Sequence, residues 1–278
     1  MASSSQHNPY PPTILRSFEE SLPLYQDDNS SLSTDIQLSG ESTRRTDAPK
    51  FWTNVGDSYW EKGASTLGNK RYHNHLKHLD FEFIYRKEQA IELLVEGDVT
   101  RAAALYLLHP VNQVLSALKP NTRCLSEHAA NRIRTDVSYR ISGSTFAVIE
   151  FKKRGTIRLN EFAAACRLID NNQPNRQTQI NQYIEEASSN RDRTFFKGNS
   201  LKMMKQAANY AVKEGTCHVA LFDWDCLVLI TFGINIRADQ ETRTANGAGE
   251  WCHIAIVENP AKMRKALLGF LVEASTGR

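Results

Sequence analysis

Two alternating apolar runs, separated by Ser142-Gly143-Ser144, fill the stretch from Arg134 to Gly155, RTDVSYRISGSTFAVIEFKKRG. Alternation on either side of a small-residue turn predicts a β-hairpin, here over residues 131–141 and 145–153. A hairpin in a folded domain hides one face in the core. Asp136, Glu150 and Lys152 lie within or at the end of these runs. Burying such charges is costly unless they are paired or hold something. The apolar setting FAVIEF predicts that Glu150 is at least partly buried.

The turn decides what these charges can do together. A three-residue loop centred on Gly143 sets Asp136 opposite Glu150, and Lys152, two residues on, shares their face. A two-residue loop shifts the register by one and breaks that pairing. Two carboxylates face to face repel unless a cation lies between them. Removing either one is therefore expected to leave the metal-free protein as stable or more stable. Hard oxygen ligands suit Mg2+ or Mn2+ rather than zinc. Such a cation acidifies bound water and neutralises developing phosphate charge, and a lysine beside it steadies hydroxide or phosphate. These are the parts needed to cut a phosphodiester bond.

Asp136, a turn and then Glu150-Phe151-Lys152 resemble the PD-(D/E)xK nuclease superfamily, with Thr135 where the motif has a variable proline. The resemblance covers roughly residues 90–232. It implies an α/β fold with a restriction-endonuclease-like core, a central mixed β-sheet flanked by helices, in the order α-β-β-β-α-β. It also implies an Mg2+- or Mn2+-dependent deoxyribonuclease, with Asp136, Glu150 and Lys152 catalytic. RecB-like and lambda-exonuclease-like members carry Q-x-x-x-Y on the helix after the catalytic strands. Gln206 and Tyr210 fit that pattern, and so do Gln179 and Tyr183. The strand directly after Tyr210 favours the first pair. An acid on the first core helix is a further expected ligand. Glu96 matches best and Glu92 next, giving Asp136, Glu150 and Glu96 as the metal set, and the resemblance adds Gln206, Tyr210 and Glu96 to the catalytic set.

Residues 1–50 are rich in Ser, Asp, Thr and Pro and show no sustained period, so a disordered segment is expected, followed by one domain over residues 51–278. That first segment carries net −3, leaving +6 on the remainder of a chain whose total is +3. A basic folded part suits a polyanion such as DNA. Five cysteines without CxxC spacing argue against a disulfide framework or a cysteine-rich zinc site, and for an intracellular protein, cytoplasmic or nuclear. No apolar run is long enough to span a bilayer, and the N-terminus lacks a secretory pattern. His73, His75 and His78 have metal-like spacing, but a solvated surface explains them more simply.

Further helices are expected near Asn160, over RQTQINQYIEEASS, from Asn199 or Ser200 to a stop at Gly215, and at the C-terminus. CHVALFDWDCLVLITF reads as a second hairpin. Competing functions are a catalytically inactive nuclease-fold module that binds nucleic acid or protein, a metal-free ribonuclease, and an interaction protein working through its first 50 residues. A toxin or effector role is compatible with the nuclease reading.

Overall fold

The computed structural model describes residues 12–25, 35–37, 41–84, 92–130, 133–169, 175–233 and 250–276. Seven strands form one mixed sheet: β1 (Phe51–Asn54), β2 (Thr122–Ala130), β3 (Ile133–Ile141), β4 (Ser144–Phe151), β5 (His218–Phe222), β6 (Leu227–Phe232) and β7 (Trp251–Val257). Their spatial order is β1-β7-β6-β5-β4-β3-β2. The pairs β1–β7 and β4–β5 are parallel, and the rest are antiparallel. The expected α/β class with a central mixed sheet between helices is the one observed.

Alternation along the strands feeds two apolar layers. Val137, Tyr139, Ala147, Ile149 and Phe151 point into one. That layer is closed by α3 (Ser58–Gly68), the short α4 (His73–Leu76), α5 (Glu96–Ala103), α6 (His109–Leu118) and α10 (Met263–Thr276). Val148, Val219, Leu221 and Val228 point into the other, against α7 (Leu159–Ala163) and the long α9 (Gly198–Glu214). A further helix, α8 (Arg176–Ser189), packs near β1. Where α3 and α10 cross, backbone touches backbone. A Cβ on Gly63 would fall 1.9 Å from the Lys265 carbonyl oxygen, and one on Gly269 1.9 Å from that of Tyr59.

Pro110 has no N–H to give the Tyr106 carbonyl four residues earlier. The chain answers with a π-turn over Ala104–Leu108 that joins α5 to α6, and the Tyr106 carbonyl accepts from Arg264 Nε at 2.6 Å. The sequence over residues 80–121 reads as mainly helical; among the described residues of that stretch α-helix starts at Glu96, and 81–84 and 92–95 are not helical.

The first fifty residues correct the expectation of disorder wherever they are described. Helix α1 (Ile14–Ser17) and the turn after it bury Ile14, Phe18, Leu22 and Tyr25 in the first layer. Arg264, itself buried, donates to the carbonyls of Ser17 and Glu20 at 2.7 and 2.9 Å. Helix α2 (Glu41–Arg45) lies against α9, where Asn209 Nδ2 donates to Thr43 Oγ1 at 3.0 Å. A low apolar fraction overall hid four well-spaced anchors. The other residues of that stretch lie outside the described ones.

Candidate active site

The hairpin turn is a two-residue one, with φ of 52° at Ser142 and 83° at Gly143, both left-handed as a tight hairpin turn requires. Next to it the strands pair Ile141 with Ser144 and Arg140 with Thr145. That register alone would set Asp136 across from Ile149. A bulge then inserts Phe146, after which Tyr139 pairs with Ala147 and Val137 with Ile149. One residue further, Asp136 stands across from Glu150. The two-residue turn and the acid pairing thus coexist, because the bulge restores what the shorter turn removes.

Asp136 and Glu150 have the opposite parity to Val137 and Ile149, so both face the α9 side. Asp136 Oδ2 accepts from the Phe151 backbone N–H at 2.8 Å, which fixes its carboxylate beside the Glu150–Phe151 peptide. Glu150 is 4 % exposed and Lys152 6 %. Lys152 Nζ lies 2.6 Å from Glu150 Oε1 and 3.9 Å from Glu96 Oε2. Its backbone N–H donates to the Phe222 carbonyl of β5, which anchors the residue just past the strand.

Gln206 reaches the same site from α9. Its Nε2 is 2.6 Å from Glu150 Oε1 and 2.6 Å from the Tyr210 hydroxyl, so the i, i+4 pair faces Glu150 along one helix stripe. The helix is set by its ends. Glu161 Oε2 accepts from the Ser200 N–H at 2.9 Å, and Gly215, at φ 65°, ends it. It begins at Gly198, slightly before the expected cap. The alternative pair lies elsewhere. Tyr183, on α8, packs edge-on to Phe51 of β1 and donates to the Leu168 carbonyl at 3.4 Å. Strand β1 is four positions from β4 in the sheet, about 19 Å at ordinary strand spacing.

Three carboxylates therefore gather around one lysine. Burial is the main force raising Glu150 to about 7, with Asp136 and Glu96 adding repulsion against the opposing pull of Lys152. Glu96 is also raised, mainly by burial. The charge of these acids holds Lys152 above its ordinary value despite its burial. Burial and the nearby Glu150 charge push Tyr210 up, so it stays a phenol. Glu150 Oε2 is buried without a hydrogen-bond partner.

Among the described residues, no group of three or more His, Cys, Asp or Glu side chains is arranged to hold a metal ion. The oxygen chemistry still fits a hard cation. Magnesium is commonly held by one or two carboxylates together with water and substrate phosphate, and the unpartnered Glu150 Oε2, on the residue across the strands from Asp136, offers such a start.

His73 and His75 are exposed, and exposed His78 is 3.9 Å from Glu82. Arg154, at the strand end, is committed to Asp225 through Nε at 2.9 Å. Sequence reasoning passed over Asp223, which is wholly buried between the two hairpins. Its carboxylate accepts from Ile157 N at 2.8 Å and Cys226 N at 3.0 Å. The sequence signal was its place in the Asp-Trp-Asp turn. Among the described residues, no helix is long and apolar enough to cross a membrane. All five cysteines are free thiols. Comparison with family models, curated proteins and solved structures finds no match for this chain.

Proposed function

We propose that this chain is a metal-dependent nuclease that hydrolyses phosphodiester bonds of DNA inside the cell, using Asp136 and Glu150 to bind Mg2+ or Mn2+. The observation that carries this reading is the orientation of Glu150. Lys152 and Gln206 both occupy Oε1, which leaves Oε2 buried and without a hydrogen-bond partner on a residue that stands across the strands from a second acid, Asp136. The element order α5/α6-β2-β3-β4-α9-β5 supports it, being the order that the resemblance to PD-(D/E)xK nucleases implies.

In this reading Asp136 and Glu150 would hold the metal, with Glu96, half-exposed at the start of α5, as a further acid near Lys152. A cation held there would supply an acidified water and a counter-charge for the phosphate. Lys152, held on Glu150 Oε1, would present its ammonium to hydroxide or phosphate beside that site. Gln206 orients Glu150 from the helix side, and Tyr210 holds Gln206. Because Glu150 sits near 7, proton and metal compete for it.

One observation favours the rival reading, a catalytically inactive module that binds nucleic acid or protein. Lys152 already neutralises Glu150, and among the described residues no group of three or more His, Cys, Asp or Glu side chains is arranged to hold a metal. Incubating the purified chain with plasmid, linear and single-stranded DNA, and with RNA, in Mg2+, Mn2+ or EDTA separates the two. The nuclease reading expects cleavage of DNA in either metal and none in EDTA. Salt-sensitive binding without cleavage in any metal would favour the module.

A further inference from the structure

Away from the acidic cluster, the strand pairing sets two arginines face to face. Arg123 of β2 pairs directly with Arg140 of β3. Like charges directly opposed across strands destabilise a sheet unless something lies between them. The protein supplies one counter-charge for the pair, the buried Glu214 carboxylate, whose Oε2 lies 3.4 Å from Arg140 Nη2 and also accepts from Thr145 Oγ1 at 2.8 Å. Arg140 Nε is buried with no hydrogen-bond partner. Arg123 is exposed and makes no ion pair among the described residues. Both arginines line an open cavity of about 540 Å³, together with Asn121 and Ser142, which add polar side chains.

Arg140 also shares strand parity with Asp136, four residues along β3, so the cavity opens on the face that carries the acidic cluster. Four residues of strand span about 13 Å, which is about four stacked nucleotides at the rise of one DNA strand.

We propose that Arg123 and Arg140 clamp one backbone phosphate of a nucleic-acid strand whose scissile phosphate lies at the Asp136–Glu150 pair. The proposal rests on the nuclease reading for the position of the cut, but the clamp is tested by binding alone. Two guanidinium groups lining one cavity, one of them with an Nε–H that no protein group accepts from, can share one phosphate, and the anion between them offsets the repulsion that the register imposes.

The test uses the full chain and its Arg123→Gln and Arg140→Gln variants. Affinity for fluorescently labelled single-stranded and duplex DNA is followed by anisotropy in EDTA over a salt series. Melting is recorded in phosphate-free, low-salt buffer. Each variant should lose about threefold to tenfold in affinity at moderate salt, and the slope of log K against log salt should fall by about one. Arg123→Gln should melt at or above the wild-type temperature. Inorganic phosphate at constant ionic strength should compete with DNA for the wild type and less for either variant.

Wild-type affinity and slope in both variants would overturn the clamp, as would a wild-type chain that binds no DNA. A phosphate-dependent rise in melting temperature without any DNA effect of Arg123→Gln would reassign the cavity to a free anion and overturn it too. Cleavage in Mg2+ is read in parallel. Lost affinity in the variants of a chain that cuts nothing supports the clamp while removing the nuclease reading. Cutting with unchanged affinity and KM in both variants does the reverse.

Discussion

Gln206 Nε2 lies 2.6 Å from Glu150 Oε1, the oxygen that Lys152 also holds. A helix side chain and a strand-end side chain thus converge on one atom of one acid, and the other oxygen of that acid is turned away from both. Most of what can be tested about this site follows from that division.

Stability should separate the two acids, against the expectation that removing either is harmless. Glu150→Ala leaves the buried Lys152 without its nearest counter-charge, so the metal-free protein should lose about 3 kcal/mol or more. Asp136→Asn keeps an oxygen for the Phe151 N–H and removes a charge that repels Glu150. It should change stability by less than about 1 kcal/mol. Urea unfolding of the two variants in EDTA measures the difference, and equal losses would show that Lys152 does not depend on Glu150.

Glu150 also gives a pH signature. Its folded value is raised from 4.5 to about 7, and that of Asp223 from 3.8 to about 7. At pH between those limits the folded chain holds protons that the unfolded chain has released. Stability contributed by these groups is therefore present at low pH and is lost as pH rises through about 7. Melting temperature in EDTA should fall from about pH 5 to 8, and Glu150→Gln should flatten part of that slope. A wild-type melting temperature that rises steadily over this range would contradict the shifts.

Gln206 is a positioning residue in this account. Gln206→Leu should lower kcat by about tenfold to a hundredfold with a smaller effect on KM, since it acts on a catalytic acid. It should also move the pH midpoint of kcat, because Glu150 loses a hydrogen-bond donor that favours its charged form. Gln179→Leu should leave both unchanged. An unaltered pH profile in Gln206→Leu would show that the contact is merely structural.

The N-terminal anchors predict a large effect of truncation. A chain starting after Tyr25 gives up the burial of Ile14, Phe18 and Leu22, each worth about 1.5–3 kcal/mol. It also takes two carbonyl acceptors from buried Arg264, whose pKa burial already lowers to about 10. The loss rivals the whole stability of a domain. Thermal melting should lose its cooperativity or shift down steeply, and a wild-type melt in the truncated chain would contradict this packing.

The acidic hairpin was legible because alternation and parity are local. Asp136, Glu150 and Lys152 fall on one face from their numbers once the register is known. The register itself was not legible: the pairing followed from a three-residue loop, a two-residue loop stayed open, and only the Phe146 bulge lets the two-residue turn keep the acids opposed. Gln206 was separable from Gln179 by the strand after Tyr210. Strand β2 escaped notice because Thr122, Arg123 and Ser126 give an edge strand little apolar alternation. The N-terminal anchors escaped because Ile14, Phe18 and Leu22 sit in polar surroundings, and nothing local announces that Arg264, far along the chain, will need carbonyls there. The Gly63–Gly269 crossing is equally non-local.

Metal binding tests the central claim most directly. Titrating Mn2+ into the nucleic-acid-free chain above pH 7, followed by Mn2+ EPR, should show saturable binding by the wild type. That binding should be weakened at least tenfold in both Asp136→Asn and Glu150→Gln, and should fall in the wild type as pH drops below about 7, where Glu150 takes a proton. Saturable binding that is unchanged in both variants, or its absence from the wild type, would contradict the assignment of these two carboxylates as the metal site.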